Sequence, residues 1–359
     1  MIYIIFASVS AFAVSFLFMP LFITILQKEQ VLDEGGKRKI HKGYVPSMGG
    51  IVMFVAFTFS VLAWLPGNPF FDNKYLLGAI SLIALLGIRD DFAPVLPKQK
   101  LLVQLIAAGI IIFLADIRIY SFYGFLGIEI IPDWLSYVIT ILFIIFITNA
   151  FNFIDGIDGL AGTVGIISLS FLGVWLYFAG YPAHSIIAVA LVGSILGFLF
   201  YNWHPASIFM GDTGSLVIGF VLSICSIWVL DLNANLPDDS WFHFDAPLSL
   251  VLGVLLFPVF DTVRVFILRI RKGTSPLKPD KRHTHHQVLR MTGDHSKASI
   301  IIALIYTCIL VLVIMLANFV SDNVLIPLIV ISCILLDMFL KKRLYRFFSQ
   351  KKNDRKRQD

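Results

Sequence analysis

Residues 135–180 read LSYVITILFIIFITNAFNFIDGIDGLAGTVGIISLSFLGVWLYFAG. Two apolar runs, 135–151 and 160–180, flank a short turn built from Asn, Asp and Gly. A helix needs roughly 20 apolar residues to cross a ~30 Å hydrocarbon core, and both runs come close to that length. In lipid the backbone must satisfy its own polar groups, so such runs predict helices. The carboxylates stand in the turn, not within the runs. Any chemistry they carry belongs at the membrane boundary.

The same pattern repeats on both sides of this stretch. Further apolar segments lie at about 2–26, 49–65, 75–88, 101–115, 185–201, 213–231, 246–268, 299–319 and 324–340. They predict an all-α polytopic membrane protein with about 11 transmembrane helices, or 10 given the short third and fourth segments. Composition agrees: 58% of residues are hydrophobic and 14% charged, against about half and about a quarter in soluble domains. No internal repeat or low-complexity tract divides the chain. The expected organisation is a single transmembrane catalytic domain over 1–340 and a basic cytoplasmic tail over 341–359.

The first segment has no preceding basic residue and is too long for the core of a cleavable signal, so it is expected to remain with its N-terminus outside. Loops then alternate, and 26 of the 28 Lys and Arg fall on one side, with only Lys74 and Arg118 opposite. The cation-rich side is the cytoplasmic one, and the C-terminus lies there. Across the bilayer, IRIYSFYGFLGIEII (117–131) carries β-prone runs around glycines and predicts a small periplasmic hairpin. Cys225, Cys308 and Cys333 all sit within apolar spans, which argues against a disulfide framework or a thiolate metal site.

Four motifs open onto the cation-rich face. Arg89-Asp90-Asp91 closes the third segment, and adjacent carboxylates at a membrane boundary are costly unless a cation joins them. Lys98 and Lys100 follow, within reach of an anionic substrate at the same interface. In NAFNFIDGIDG, Asn149, Asn152, Asp155 and Asp158 recur at a spacing of three, an oxygen-rich and sulfur-free set suited to Mg²⁺ bridging to phosphate. Helix capping would account for one such residue but not four.

The third motif, Asn202-Trp-His-Pro-Ala-Ser-Ile-Phe209-Met-Gly-Asp212-Thr-Gly-Ser, adds a carboxylate that either caps a helix or binds a cation, and a Phe that either packs or stacks on a planar base. The fourth, Arg282-His283-Thr-His285-His286, follows Asp261 and Arg264. Imidazoles beside cations suit an anion site or proton transfer near neutral pH. A zinc site is the competing reading. Lys42 in the first cytoplasmic loop serves either topology or phosphate.

Taken in order, KGYVPSMGG, DD, NAFNFIDGIDG, NWHP…FMGDTGS and HTHH resemble the polyprenyl-phosphate N-acetylhexosamine-1-phosphate transferases from about residue 27 to 290. That family includes the bacterial GlcNAc-1-phosphate transferases, the muramyl-pentapeptide translocase and the eukaryotic dolichyl-phosphate enzyme. The resemblance implies transfer of a sugar-1-phosphate, GlcNAc first, from a UDP-amino sugar to undecaprenyl phosphate. UMP is released, and the reaction initiates a cell-envelope polysaccharide at the bacterial inner membrane.

It further implies Asn152 and Asp212 as Mg²⁺ ligands, with Mn²⁺ as a substitute. Asp90 would act on the lipid phosphate with Asp91 beside it, and Asp155 and Asp158 would line the nucleotide site. Asn202 and Phe209 would hold uracil. Lys42, Lys100 and the imidazoles of His283, His285 and His286 would grip diphosphate or sugar. Lys98, Asn149 and Arg282 are further candidate substrate-binding residues. The lipid bilayer is an expected partner, nucleic acid is not, and a homodimer is one assembly left open.

Departures from the family pattern matter. Pro94 stands where some relatives carry Asp or Lys, and Thr284 interrupts the three consecutive histidines of the translocase. The second departure favours an amino-sugar-1-phosphate donor (GlcNAc, FucNAc or QuiNAc) over UDP-MurNAc-pentapeptide. A transporter is the rival class, but it predicts ionisable residues at the bilayer midplane and repeated halves, neither of which is visible. The CDP-alcohol phosphotransferases share the opening of Asp155-Gly-Ile-Asp158-Gly159, yet Gly162-Thr163 replaces the Ala-Arg their signature requires.

Overall fold

The computed structural model describes residues 1–28, 45–67, 73–237, 239–273 and 283–358, with side chains to 342. Among them are thirteen α-helices. In chain order these are α1 (Ile2–Lys28), α2 (Gly49–Trp64), α3 (Lys74–Phe92), α4 (Pro97–Phe113), α5 (Asp133–Ile154), α6 (Leu160–Phe178) and α7 (Pro182–Asn202). There follow α8 (Gly211–Ala234), α9 (Pro247–Val254), α10 (Leu256–Arg271), α11 (Thr284–Thr292), α12 (His295–Leu316) and α13 (Asp322–Gln358). Each apolar segment falls on a helix. Large apolar side chains such as Phe18, Leu85, Phe113, Leu142, Phe200 and Leu304 stand exposed, as a lipid-facing surface requires.

Seven helices are long and apolar enough to cross a bilayer, or eight if a pair bent by 78° is one span. The architecture is that of an all-helical, polytopic membrane protein. Length and composition do not carry the tally to eleven: α2 has 16 residues and α4 has 17, while α3 bears Lys74, Arg89, Asp90 and Asp91. The C-terminal basic segment continues α13 as one helix to Gln358.

Segment 117–131 doubles back as expected, through the antiparallel bridge Ser121–Ile130 and the Phe122 N–H donating to Glu129 O at 2.9 Å, around a 3-10 turn at Phe125–Gly127, without extended strands. One local expectation needs correction. The span expected over 246–268 is broken at Leu255 into α9 and α10. Pro258 explains the break, because it has no N–H to give the carbonyl four residues earlier. That carbonyl, on Val254, instead accepts from Ser168 Oγ at 3.0 Å and Tyr306 Oη at 2.5 Å. The freed backbone group is satisfied by neighbouring helices.

The core is organised around α8, buried continuously from Thr213 to Leu230. Glycines set how closely its neighbours approach. A Cβ on Gly50 of α2 would lie 2.0 Å from the Gly214 nitrogen, and one on Gly87 of α3 would lie 2.4 Å from Thr213 Cα. These contacts press the ends of α2 and α3 against the start of α8. On the far side, Gly193 and Gly197 of α7 let α1 approach as a small-xxx-small stripe does. A Cβ at Gly193 would meet the Ser8 carbonyl oxygen at 2.1 Å.

Gly193→Val should therefore force α1 away from α7 and cost about 1–3 kcal/mol, the usual range for overpacking. Thermal unfolding in detergent checks this. A melting temperature equal to that of the wild type would mean α1 is not closed on α7.

Candidate active site

Successive helices alternate in direction, so the ends of α3, α5 and α7 meet the starts of α4, α6, α8 and α12. The end of α3 carries Asp90 and Asp91, and the start of α4 carries Lys100. Asn152 sits in the last turn of α5, with Asp155 and Asp158 in the turn beyond it. Asn202 closes α7, Asp212 lies in the first turn of α8, and His295 opens α12. A cavity of about 460 Å³ lies between them, lined in part by Asp91, Asn152, Asp155, Asp158, Phe209 and Asp212.

Asn152 and Asp212 touch. Asn152 Nδ2 donates to Asp212 Oδ1 at 2.8 Å and to Ser215 Oγ at 2.8 Å. Lys100 Nζ lies 2.5 Å from Asp212 Oδ2 and 2.5 Å from Asp90 Oδ2, bridging two carboxylates from different helices. Asp90 Oδ1 also accepts from the Val95 N–H at 2.5 Å. Lys100 thus ties the start of α4 to the end of α3 and to the first turn of α8.

Asp91 has a different use. Its carboxylate accepts from Asp212 N (2.6 Å), Thr213 N (3.1 Å) and Thr213 Oγ1 (2.6 Å), capping α8 from a neighbouring helix. Gly211 is required here, since its φ is +75° and a Cβ would lie 2.7 Å from Asp91 Oδ1. Burial pushes the Asp91 carboxyl up to about 7 despite these donors. Burial does the same to Asp155, also to about 7, reinforced by the charges of Asp212, Asp91 and Asp158. Each charge that burial and its neighbours oppose in this way would be eased by an opposite charge nearby.

Other residues hold the walls. Asn202 is buried, and its amide joins two turns: Oδ1 accepts from Gly159 N at 2.9 Å and Nδ2 donates to Ile208 O at 2.9 Å. Asn149 pairs with Gln104 of α4, its Nδ2 donating to Gln104 Oε1 at 2.8 Å, and it does not line the cavity. Phe209 is 41% exposed at the mouth. The chain entering α2 pairs beside it, with Phe209 N donating to Pro46 O at 2.7 Å and Gly49 N donating to Phe209 O at 2.9 Å. Lys98 is exposed, apart from these contacts. Lys42 and Arg282 lie outside the described residues.

The histidine motif is anchored by a residue that sequence reasoning left at the root of its loop. Asp261, fully buried in α10, accepts from His283 Nδ1 at 2.7 Å, Thr284 N at 2.7 Å and Arg264 at 3.3 Å. Arg264 in turn donates to Asp337 of α13 at 3.1 Å. His285 is buried, and burial holds its imidazole down at about 3, hence neutral. Its Nε2 lies against Gly156, where a Cβ would approach it to 2.4 Å. His286 is half-buried, its ring 4.3 Å from that of His285. A carboxylate three residues before an Arg in an apolar helix was the available signal for Asp261.

Residues 74–230 match the family described as Glycosyl transferase family 4. A probable undecaprenyl-phosphate N-acetylglucosaminyl 1-phosphate transferase of Bacillus subtilis is 33% identical over 301 residues, covering 83% of this chain and 81% of its own. The chain belongs to the polyprenyl-phosphate N-acetylhexosamine-1-phosphate transferase family. An undecaprenyl-phosphate alpha-N-acetylglucosaminyl 1-phosphate transferase of Yersinia pestis is 28% identical, covering 82% of this chain and 78% of its own. The Escherichia coli K12 protein with that description is 27% identical, covering 80% and 78%. In family terms, the matched segment runs from the start of α3 nearly to the end of α8. It includes the carboxylates of the cavity but not Ser47, His295 or the histidine anchor.

Asp261→Ala would leave His283 and the Thr284 N–H without their acceptor and Arg264 with one fewer anion. Removing one member of a buried charged network costs about 3–5 kcal/mol. The expected result is faster limited proteolysis around α11, with the other helices cut as in the wild type. Unchanged cleavage there would show that Asp261 does not hold the segment.

Proposed function

We propose that this protein transfers N-acetylglucosamine-1-phosphate from UDP-GlcNAc to undecaprenyl phosphate at the cytoplasmic face of a bacterial inner membrane, releasing UMP. The observation that carries the reading is the meeting of Asn152, Asp212, Lys100 and Asp90 at one end of the helix bundle. The substrate class comes from the relatives, which are undecaprenyl-phosphate N-acetylglucosaminyl 1-phosphate transferases by description.

The cation distribution supports the orientation. The end of the bundle that bears the site is the end to which 26 of the 28 Lys and Arg belong when the segments alternate across the membrane. On that reading α2, α3 and α4 also cross, the broken α9–α10 pair is one span, and the eleven-span, N-out arrangement follows.

The donor set fits Mg²⁺, or Mn²⁺ in its place: around Asn152 and Asp212 the cavity offers carboxylate and amide oxygens, its one imidazole (His295) is on the wall with Asp158, no sulfur lines it, and its carboxylates repel one another when charged. Asp212 and Asn152 would hold the ion, Asn152 by turning its amide oxygen inward. The ion, when bound, supplies neutralisation of the diphosphate and polarisation of the phosphorus under attack.

Asp90 would orient the lipid phosphate and accept its proton where it carries one. Lys100 would leave the Asp90–Asp212 bridge to neutralise charge gathering on the phosphoryl oxygens. An oxygen of the lipid phosphate attacks the β-phosphorus, the bond from that phosphorus to the bridging oxygen breaks, and UMP departs with the electron pair. Phe209, partly exposed on the cavity wall, would stack on uracil. Asn202 serves this site by fixing the two turns on which Asp158 and Phe209 sit. Phosphoryl transfer needs chiefly positioning and electrostatics, and these are what the residues offer.

Purified protein in detergent with undecaprenyl phosphate, a panel of UDP-amino sugars and a divalent cation should release UMP, fastest with UDP-GlcNAc. Uptake into vesicles without UMP release would favour a transporter instead. Asp212→Ala and Asn152→Ala should each lower turnover about a hundredfold or more, as loss of a transition-state electrostatic contact does. Both variants should keep the wild-type elution volume. Full turnover in either one removes the metal assignment.

A further inference from the structure

Beside the oxygen-lined centre stands a nitrogen-rich one. His204, in the turn after α7, and His295, the first residue of α12, stack with ring centroids 5.0 Å apart and planes 18° from parallel. Both present Nδ1 to the same carboxylate. His204 Nδ1 lies 2.6 Å from Asp158 Oδ2, and His295 Nδ1 lies 3.2 Å from Asp158 Oδ1. The three ligand atoms are all within 4.8 Å of one another.

His295 Nδ1 is in a conflicted position. It also faces the Asp158 backbone N–H, at 3.3 Å. If Nδ1 carries a proton, N–H faces N–H; if it does not, a lone pair faces a carboxylate lone pair. Either tautomer leaves one contact of like polarity. A cation held jointly by Nδ1 and the carboxylate would take the lone pair that otherwise accepts from the Asp158 N–H, and would replace the lone-pair repulsion with two coordination bonds.

We propose that Asp158, His204 and His295 form a binding site for a borderline-soft divalent transition metal, with Zn²⁺ the best match, separate from the magnesium-type centre at Asp212. Two imidazoles and one carboxylate, with further positions open to water, are a zinc ligand set, whereas Mg²⁺ prefers oxygen. The imidazole side chains are 38% and 35% exposed, so the ion can enter and leave.

The second His-rich cluster, Asp261 with His283 and His285, is a poorer host. There the carboxylate already receives the Thr284 N–H and the Arg264 guanidinium, and that fixed positive charge opposes a cation. Since Asp158 and His295 line the cavity, an ion at the rim ties down one wall of it. On the transferase reading, that makes the rim an inhibitory site for Zn²⁺.

The test uses the purified full-length chain in detergent with excess Mg²⁺, titrated first with Co²⁺ and then with Zn²⁺. Visible Co²⁺ absorption that Zn²⁺ displaces is the expected signature, at one ion per chain. His204→Gln and His295→Gln should each weaken Zn²⁺ binding at least about tenfold while melting at the wild-type temperature without metal, and His283→Gln should leave binding unchanged. The proposal is overturned if wild-type protein takes up no Zn²⁺ in the presence of Mg²⁺. It is equally overturned if binding survives both rim variants, or if only His283→Gln removes it. None of these readouts requires transferase activity, so failure here is distinguishable from failure of the function proposed above.

Discussion

A helix that starts inside a membrane protein leaves N–H groups that water cannot reach, and α8 starts with no capping side chain of its own. Asp91 supplies the missing acceptors from α3. The rest of the site depends on this contact. It can form only because Gly50 and Gly87 let α2 and α3 close on the first turn of α8, and because Gly211 leaves room for the carboxylate. Asp212 is thereby relieved of a capping role and turns its oxygens to Asn152 and Lys100.

The same solution appears elsewhere. Asp322, at the start of α13, accepts from the Leu248 and Ser249 N–H groups at the head of α9. Asp261 accepts from the Thr284 N–H at the head of α11. In both places a carboxylate from another helix does what a local Ser or Asp does in a soluble protein. These trans caps also join segments distant in sequence, so burying a helix end and assembling the fold are one event. Among the helices discussed, α12 is the contrast: it is capped locally, by Asp294 accepting from Lys297 N at 2.8 Å.

Much of this was legible before any coordinates. Apolar run length located the long helices but not the polar α11, and the spacing within NAFNFIDGIDG and FMGDTGS points to residues that meet at the cavity. Partner identity was not legible. Nothing in the sequence distinguishes a carboxylate that caps, such as Asp91, from one that points into a cavity, such as Asp212, because the difference lies in which helix approaches. Nor does the sequence show that the amides of Asn149 and Asn202 are engaged with Gln104 and with two turns. The break at Leu255 had its signal in Pro258. Whether a proline kinks or breaks a span depends on neighbours such as Ser168 and Tyr306, which periodicity cannot reveal. His295 went unremarked because a single histidine in a loop carries no pattern.

The broken helix and the histidine anchor belong to one arrangement. Once α9 ends at Val254, α10 leaves at 78° and carries Asp261 with it. An unbroken helix would continue along the axis of α9, away from the segment that Asp261 now holds. The bend brings a buried carboxylate to the base of α11, where His283 and Thr284 bind it and where His285 can rest on Gly156. Gly156 lies between Asp155 and Asp158 in the turn that lines the cavity, and no larger residue would admit the imidazole. A proline in an apolar helix thus determines how closely the histidine segment approaches the carboxylates, although no atom of that proline is near them in sequence.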